Sequence, residues 1–148
     1  MSSFRWSNIP IPEGHVIPLV AGVALDVWLP LKIVDLLWLK HALGWPLLLC
    51  GSLLAAGAVM AFKAMDFSQP TGIIVSGPYQ FSRNPMYVAW TMLYLGTAML
   101  VNTWWLLILL PAVTAFTHCI VVRQEEQKLE QKFGEEYREY MRRVPRYL

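Results

Sequence analysis

Apolar stretches dominate the chain, and short polar segments separate them. Residues 84–122 run for 39 positions without an Asp, Glu, Lys or Arg, and residues 41–62 run for 22 more. As a single α-helix the longer run would extend about 58 Å at 1.5 Å per residue. A hydrocarbon core is about 30 Å thick, so that run must fold back once. Asn102-Thr103 is the polar pair near its middle, and Trp104-Trp105 follow at once. A turn there sets both tryptophans in an interfacial aromatic belt. The pattern predicts spans near Met86–Val101 and Trp104–Val122, with a kink at Pro111. Another span is predicted at Trp45–Phe62. Its small residues fall on two neighbouring ridges, Ser52, Ala56 and Met60 on one and Gly51, Ala55 and Ala58 or Val59 on the other, which suits close helix packing. A first span near Val16–Ile33 contains Asp26, Pro30 and Lys32, and Ile33–Leu39 continues it or lies in the interface.

Composition agrees with this reading. Hydrophobic residues make up 56% of the 148 positions and charged residues 15%, against about 25% charge in a soluble domain. Such runs exclude a soluble globular domain, a disordered chain, a collagen-like chain and a coiled coil. The expected fold class is an all-α integral membrane protein in one domain, with about four transmembrane helices. A loop at 63–85 and an amphipathic tail at 123–148 share one face. The tail repeats Glu125, Leu129, Phe133 and Tyr137 or Tyr140 at helical spacing; Gly134 interrupts it and Pro145 ends it. With four spans, 10 of the 12 Lys and Arg lie on the side of the loop and tail, which the positive-inside rule makes cytoplasmic. Met1–Glu13 reads as an interfacial arm, and no cleavable signal peptide is evident. A net charge of +2 is too small to argue for nucleic acid. Cys50 and Cys119 sit in apolar runs and read as buried small hydrophobes rather than a disulfide or metal pair. No metal site is indicated.

The chemistry is confined to two polar segments that flank the last two spans. The first contains Gly77-Pro78-Tyr79 and Arg83-Asn84-Pro85-Met86-Tyr87. The second contains Glu125-Glu126-Gln-Lys-Leu129, then Phe133-Gly134-Glu135-Glu136-Tyr137 and Arg143-Val144-Pro145. The two spans form one hairpin, so these segments meet at one membrane face. The combined pattern, covering Gly72 to Pro145, resembles the isoprenylcysteine carboxyl methyltransferase family, and the related phospholipid N-methyltransferases share its broader form. No single piece of it is specific. The resemblance implies a small membrane enzyme that uses S-adenosylmethionine in a pocket at the cytoplasmic face, and the chain looks like a short prokaryotic member of the inner membrane. No Gly-rich strand-to-helix turn of the dinucleotide type is present, so a Rossmann fold is not expected.

Carried onto this chain, the resemblance makes Tyr79, Asn84, Pro85, Tyr87, Glu125, Glu126 and Leu129 the expected cofactor contacts, with Arg83 and Glu126 as the reacting pair. The cofactor carries an ammonium, which Glu125 or Glu126 can meet. Adjacent helical residues point about 100° apart, so one glutamate faces the ligand while the other caps the site or pairs with Arg83 or Arg123. Glu125 is preferred because it shares a face with Leu129; the plain alternative is a solvated helical turn. Arg83 reads as a clamp for a carboxylate of cofactor or acceptor, or as a snorkelling arginine. Asn84 suits an N-cap before Pro85, where the family more often has His. Tyr79 and Tyr87 line the pocket or anchor the interface. Ala89 stands where Gly is common, and its extra methyl could narrow a close contact. His118 reads as an interhelical hydrogen-bond former, and Asp26 as a functional group or a helix-end residue.

The expected reaction is in-line methyl transfer to a lipid or to a prenylated or other amphiphilic acceptor. A carboxylate acceptor needs no base, whereas an amine would need one such as Glu126. No His or Cys stands out as an obligatory base, which favours a carboxylate or pre-ionised acceptor. Two other classes stay open, an NADPH-dependent reductase of the sterol type and a non-catalytic scaffold of the same fold. The acceptor and the oligomeric state are not legible.

Overall fold

The computed structural model describes residues 13–63 and 72–147, so the predicted N-terminal arm and part of the 63–85 loop lie outside the described residues. Among the described residues every regular element is helical. Six α-helices follow in order: α1 (Glu13–Trp28), α2 (Leu37–Lys63), α3 (Pro85–Val101), α4 (Trp104–Phe116), α5 (Arg123–Phe133) and α6 (Glu135–Arg143). A 3₁₀ turn at Gly77–Gln80 precedes α3, and a π-helical segment at Thr117–Val122 joins α4 to α5.

The hairpin between α3 and α4 is built as the polar pair predicts. Asn102 takes a left-handed conformation (φ 64°) that ends α3, and the Thr103 hydroxyl accepts the Trp105 N–H at the start of α4. Asparagine tolerates that conformation better than most residues. Its side chain also ties down the α1–α2 connection. Oδ1 accepts from the N–H groups of Ile33 (3.1 Å) and Val34 (3.0 Å), and Nδ2 donates to the Val34 carbonyl at 2.7 Å. Trp105 Nε1 donates to the Leu29 carbonyl at 2.7 Å, and the Trp104 N–H to that of Leu31 at 2.8 Å. Trp28, Trp38, Trp104 and Trp105 thus gather at the turn end of the bundle. Asp26 settles as a helix-end residue, accepting the Leu31 N–H at 3.3 Å.

Two helices are long and apolar enough to cross a membrane, Leu37–Phe62 and the continuous stretch Trp104–Phe133; Gly14–Trp28 and Pro85–Val101 are shorter apolar helices. Their outward faces are apolar. Ile17, Val27, Trp28, Leu49, Leu53, Trp45 and Ile108 are all exposed, and only 11% of the most apolar window of α2 is buried. A core helix of a soluble domain would show the reverse. Cys50 and Cys119 are free thiols exposed on these faces. The expectation of burial fails because an apolar surface gives a small hydrophobe no reason to turn inward.

Helix boundaries differ from expectation at both ends of the connection after α1. α1 stops at Trp28, and Leu37 begins α2, so Ile33–Leu36 is loop and Leu37–Leu39 belongs to α2. The polar tail, expected as a separate helix, instead prolongs α4 through the π segment without a break. The break falls at Gly134, whose φ of +54° is costly for other residues.

Packing concentrates between α2 and α3. Of the two small-residue ridges on α2, the one with Gly51 and Ala58 faces inward, while Ser52, Ala56 and Met60 face out. A Cβ on Gly51 would lie 3.0 Å from the Ala89 carbonyl oxygen, and one on Gly96 would lie 3.0 Å from that of Gly44. Ala89 itself is fully buried in this contact. A second core joins Tyr94 and Ala98 of α3 to Leu106 and Val113 of α4, with Leu19 and Val23 of α1 against them.

Two of the three atoms nearest a Cβ on Gly51, the Ala89 carbonyl oxygen and the Leu93 nitrogen, are backbone and cannot readily yield. Gly51→Val is therefore expected to cost about 1–3 kcal/mol, read as a lowered thermal midpoint in detergent. Ser52→Val, on the outward face, should leave that midpoint in place.

Candidate functional site

The folded-back hairpin brings the two ends of residues 84–122 together, and the polar segments beyond them meet. Arg83 Nη1 lies 2.8 Å from Glu126 Oε1, with each side chain 11% exposed. The Tyr87 hydroxyl donates to Glu125 Oε1 at 2.9 Å. The two adjacent acids therefore diverge as helical phase requires, one toward Arg83 and one toward Tyr87. The π segment ends two residues before this doublet and changes the phase of the polar turns relative to α4. Single π turns inside α-helices recur at functional sites.

The segment before α3 is shaped from α2. Gly77 takes a φ of +58°, and a Cβ on Gly57 would lie 3.1 Å from the Pro78 ring, so small residues on α2 admit the turn. The turn brings Tyr79 back toward the site, and the Tyr140 hydroxyl donates to the Tyr79 carbonyl at 2.7 Å. Tyr137, Tyr140 and Val144 form a buried cluster backed by Ile73, Phe133 and Met141, and α6 thereby floors the cavity.

Residues beyond α6 complete the frame. The Arg83 N–H donates to the Pro145 carbonyl at 2.9 Å. Ser82 Oγ and Asn84 Nδ2 both donate to the Arg146 carbonyl at 3.3 Å. Asn84 does occupy the N-cap of α3, but its side chain makes no capping bond. The expected cap is replaced by this tertiary contact, and Pro85 at the first helical position has no N–H to satisfy.

Arg146 is the principal residue that sequence reasoning missed. Its Nε and Nη2 clasp both oxygens of Glu126, at 3.1 and 2.5 Å. Its Nη1 lies 3.3 Å from His118 Nε2, and His118 Nδ1 lies 3.1 Å from the Tyr147 hydroxyl. A guanidinium only donates, so Nε2 is the acceptor in this arrangement and Nδ1–H faces Tyr147. His118 thus links the π segment to the strand-like residues after α6, where an interhelical bond was expected. The only signal for Arg146 in the sequence is its place directly after Val144-Pro145.

These side chains enclose a cavity of about 370 Å³, within the usual span of ligand pockets of about 300–1,000 Å³. Tyr79, Arg83, Asn84, Pro85, Tyr87, Glu125, Glu126 and Leu129 all line it, together with Ile73, Ile74, Met86, Lys128, Phe133, Tyr137 and Tyr140. The residues named from the sequence as cofactor contacts or as the reacting pair lie on this one surface, whereas Asp26, Ala89 and His118 do not. Burial raises the Glu125 carboxyl above the ordinary carboxylate range, with the Tyr87 hydroxyl and Lys128 opposing in part. Burial also raises the Tyr79 hydroxyl, with the Glu125 charge adding to the effect. The Arg83–Glu126 pair is close but poorly aligned: Nε and Nη1 of Arg83 are buried and have no hydrogen-bond acceptor. The pair is thus an electrostatic contact, and the Arg83 guanidinium also meets the Tyr137 hydroxyl.

The family model for phospholipid methyltransferase matches residues 39–136, more than half of the chain. The chain belongs to the phospholipid methyltransferase family. The matched region holds α2, the turn at Tyr79, the hairpin and the Glu125-Glu126 doublet. Membership makes the protein a methyltransferase in kind, with a lipid-like substrate, and with the long apolar helices it points to a membrane protein. Arg146, which holds Glu126 from the far side, falls outside the matched residues. No curated protein and no solved structure matches this phospholipid methyltransferase family member.

Breaking a buried pair strands the partner charge. Glu126→Gln is expected to cost about 3 kcal/mol of stability. Arg146→Met removes the more exposed partner, and about 1 kcal/mol is expected. Chemical unfolding of both variants in one detergent checks the order.

Proposed function

We propose that the protein transfers a methyl group from S-adenosylmethionine to a lipid head group or another amphiphilic acceptor, at the cytoplasmic face of a prokaryotic inner membrane. In this reading α1 to α4 span the bilayer and residues 123–147 lie on the cytoplasmic side with the 63–85 loop. The placement of 10 of 12 cationic residues on that side supports it.

One observation carries the proposal. A single cavity holds a carboxyl group with no ion pair among the described residues, Glu125, and a buried guanidinium, Arg83, 2.8 Å from Glu126. The cofactor presents an ammonium and a carboxylate at one end and adenosine at the other, and this donor set fits it. Glu125 would hold the ammonium, Arg83 the carboxylate, and Ile73, Ile74, Met86 and Phe133 the base. When bound, the group supplies an electrophilic methyl on a sulfonium. Tyr87 fixes the Glu125 carboxylate by its hydrogen bond. Glu126, held by two guanidiniums, serves to keep Arg83 in place, so the second glutamate is the positioning one. The cavity walls exclude water from the reacting atoms. A volume of about 370 Å³ suits one nucleoside and its amino-acid tail better than a dinucleotide, which favours this reading over an NADPH-dependent reductase.

Titration calorimetry of S-adenosylhomocysteine into detergent-purified protein tests the proposal. Glu125→Gln is expected to weaken binding about 10- to 100-fold, the worth of one hydrogen bond to a charged group. Binding by wild type should weaken on acidification, because the ammonium needs the ionised carboxylate. Since the Glu125 carboxyl is raised, the loss should begin at a pH above that of an ordinary glutamate. Tight NADPH binding without S-adenosylhomocysteine binding would turn the case toward the reductase, and binding of neither would turn it toward a scaffold.

A further inference from the structure

Glu126 meets its two guanidiniums unequally. Arg146 grips it as a fork, with Nε 3.1 Å from Oε1 and Nη2 2.5 Å from Oε2. A two-point contact of this kind is the strong form of an arginine–carboxylate pair. Arg83 touches one oxygen, with Nη1 2.8 Å from Oε1, and the contact lacks hydrogen-bond alignment. The Arg83 guanidinium is held as well by the Tyr137 hydroxyl. Burial, and then the Glu126 charge, raise that hydroxyl, so it stays protonated and holds the guanidinium without cancelling its charge.

Arg146 is fixed from several sides. Its carbonyl accepts from Ser82 Oγ and Asn84 Nδ2, the two neighbours of Arg83, both at 3.3 Å. Its Nη1 lies 3.3 Å from His118 Nε2. Arg83 and Glu126 line the cavity, and Arg146 stands behind Glu126. One carboxylate and two guanidiniums leave this cluster with a net positive charge, and where the surplus sits decides what the cavity can hold. The fork assigns the charge of Glu126 mainly to Arg146. The surplus therefore rests on Arg83, at the cavity wall. Lys128 and Lys132 line the cavity too, but both are exposed, where a charge pair is weak. The Arg83 side chain is 11% exposed.

We propose that Arg146 is a positioning residue for the cofactor carboxylate: by taking up the charge of Glu126, it keeps Arg83 electropositive toward the cavity. The proposal rests on the methyltransferase reading above, in which Arg83 meets that carboxylate. It adds a role for a residue beyond the family match, which ends at residue 136. Arg146 touches no reacting atom and acts through Glu126. Without it, Arg83 is the one cation that Glu126 meets among the described residues. A small rotation of the Arg83 side chain then makes the aligned two-point pair. The ligand loses both the direction of the donors and the uncancelled charge.

The test is titration calorimetry on full-length protein in detergent with two probes, S-adenosylhomocysteine and its decarboxylated analogue, which keeps the ammonium and lacks the carboxylate. Arg146→Met should weaken S-adenosylhomocysteine binding about tenfold or more, the worth of a hydrogen bond to a charged group. Its affinity for the analogue should be unchanged, which also shows that the variant is folded. Adding Glu126→Gln to Arg146→Met should restore most of the lost affinity, because the amide oxygen still holds Arg83 and has no charge to cancel. Arg146→Lys, which keeps a cation on Glu126, should bind S-adenosylhomocysteine more tightly than Arg146→Met. A merely structural role for Arg146 gives a different pattern, with equal weakening of both probes and a further loss in the double variant. That pattern, unchanged S-adenosylhomocysteine binding by Arg146→Met, or no gain from Arg146→Lys would overturn the proposal and leave the cofactor reading standing. Failure of wild type to bind either probe would remove that reading itself.

Discussion

Glu126 holds two guanidinium groups at once, Arg83 from the segment that opens α3 and Arg146 from the residues after α6. Burying that carboxylate is unfavourable unless its charge is met, and the hairpin, the π segment and the chain beyond α6 must all be in register to meet it. The constraint explains several features that are otherwise separate. The Asn102 turn fixes which residues of α3 and α5 stand opposite one another. The carbonyls of Pro145 and Arg146 hold the backbone and side chains of Ser82, Arg83 and Asn84. Glu125, one residue before the shared acid, forms no ion pair among the described residues and accepts from Tyr87.

Tyr87 lines two cavities of different character. On one side lies a cavity with both signs of charge and aromatic walls; on the other, among the described residues, lies a mostly apolar one that includes the buried imidazole of His15. A charged, water-soluble ligand and a membrane-dissolved one need opposite dielectric surroundings. The apolar outward faces of α1, α2 and α4 fit a membrane protein.

Much of the frame was legible because membranes restrict what a chain can do. A 39-residue run without charge has to double back, and Asn102-Thr103 offered the place. Gly134 and Pro145 marked breaks for backbone reasons that hold in any context. The acids diverged as helical phase demands, and the preferred one, Glu125, is the one that stays out of ion pairs. Other features depend on contacts between distant residues. Nothing local separates His15 from His118 or Asp26, yet one is unpartnered, one is doubly bonded and one closes a helix end. The bonds of Asn84 and Arg146 arise only once α6 turns back beneath α3. The inward ridge of α2 was one of two equivalent choices on periodicity, and the steric demands of Ala89 and Gly96 decided between them.

Pairing of the Arg83 N–H with the Pro145 carbonyl has a consequence for the order of assembly. A ribosome makes residue 83 long before residue 145, and the hairpin can insert while the later residues are still being synthesised. Until they emerge, the acid doublet and Arg83 face each other without the outer guanidinium that balances them. The cavity beside Arg83 therefore takes its final form in a second stage, once the residues beyond α6 have been made.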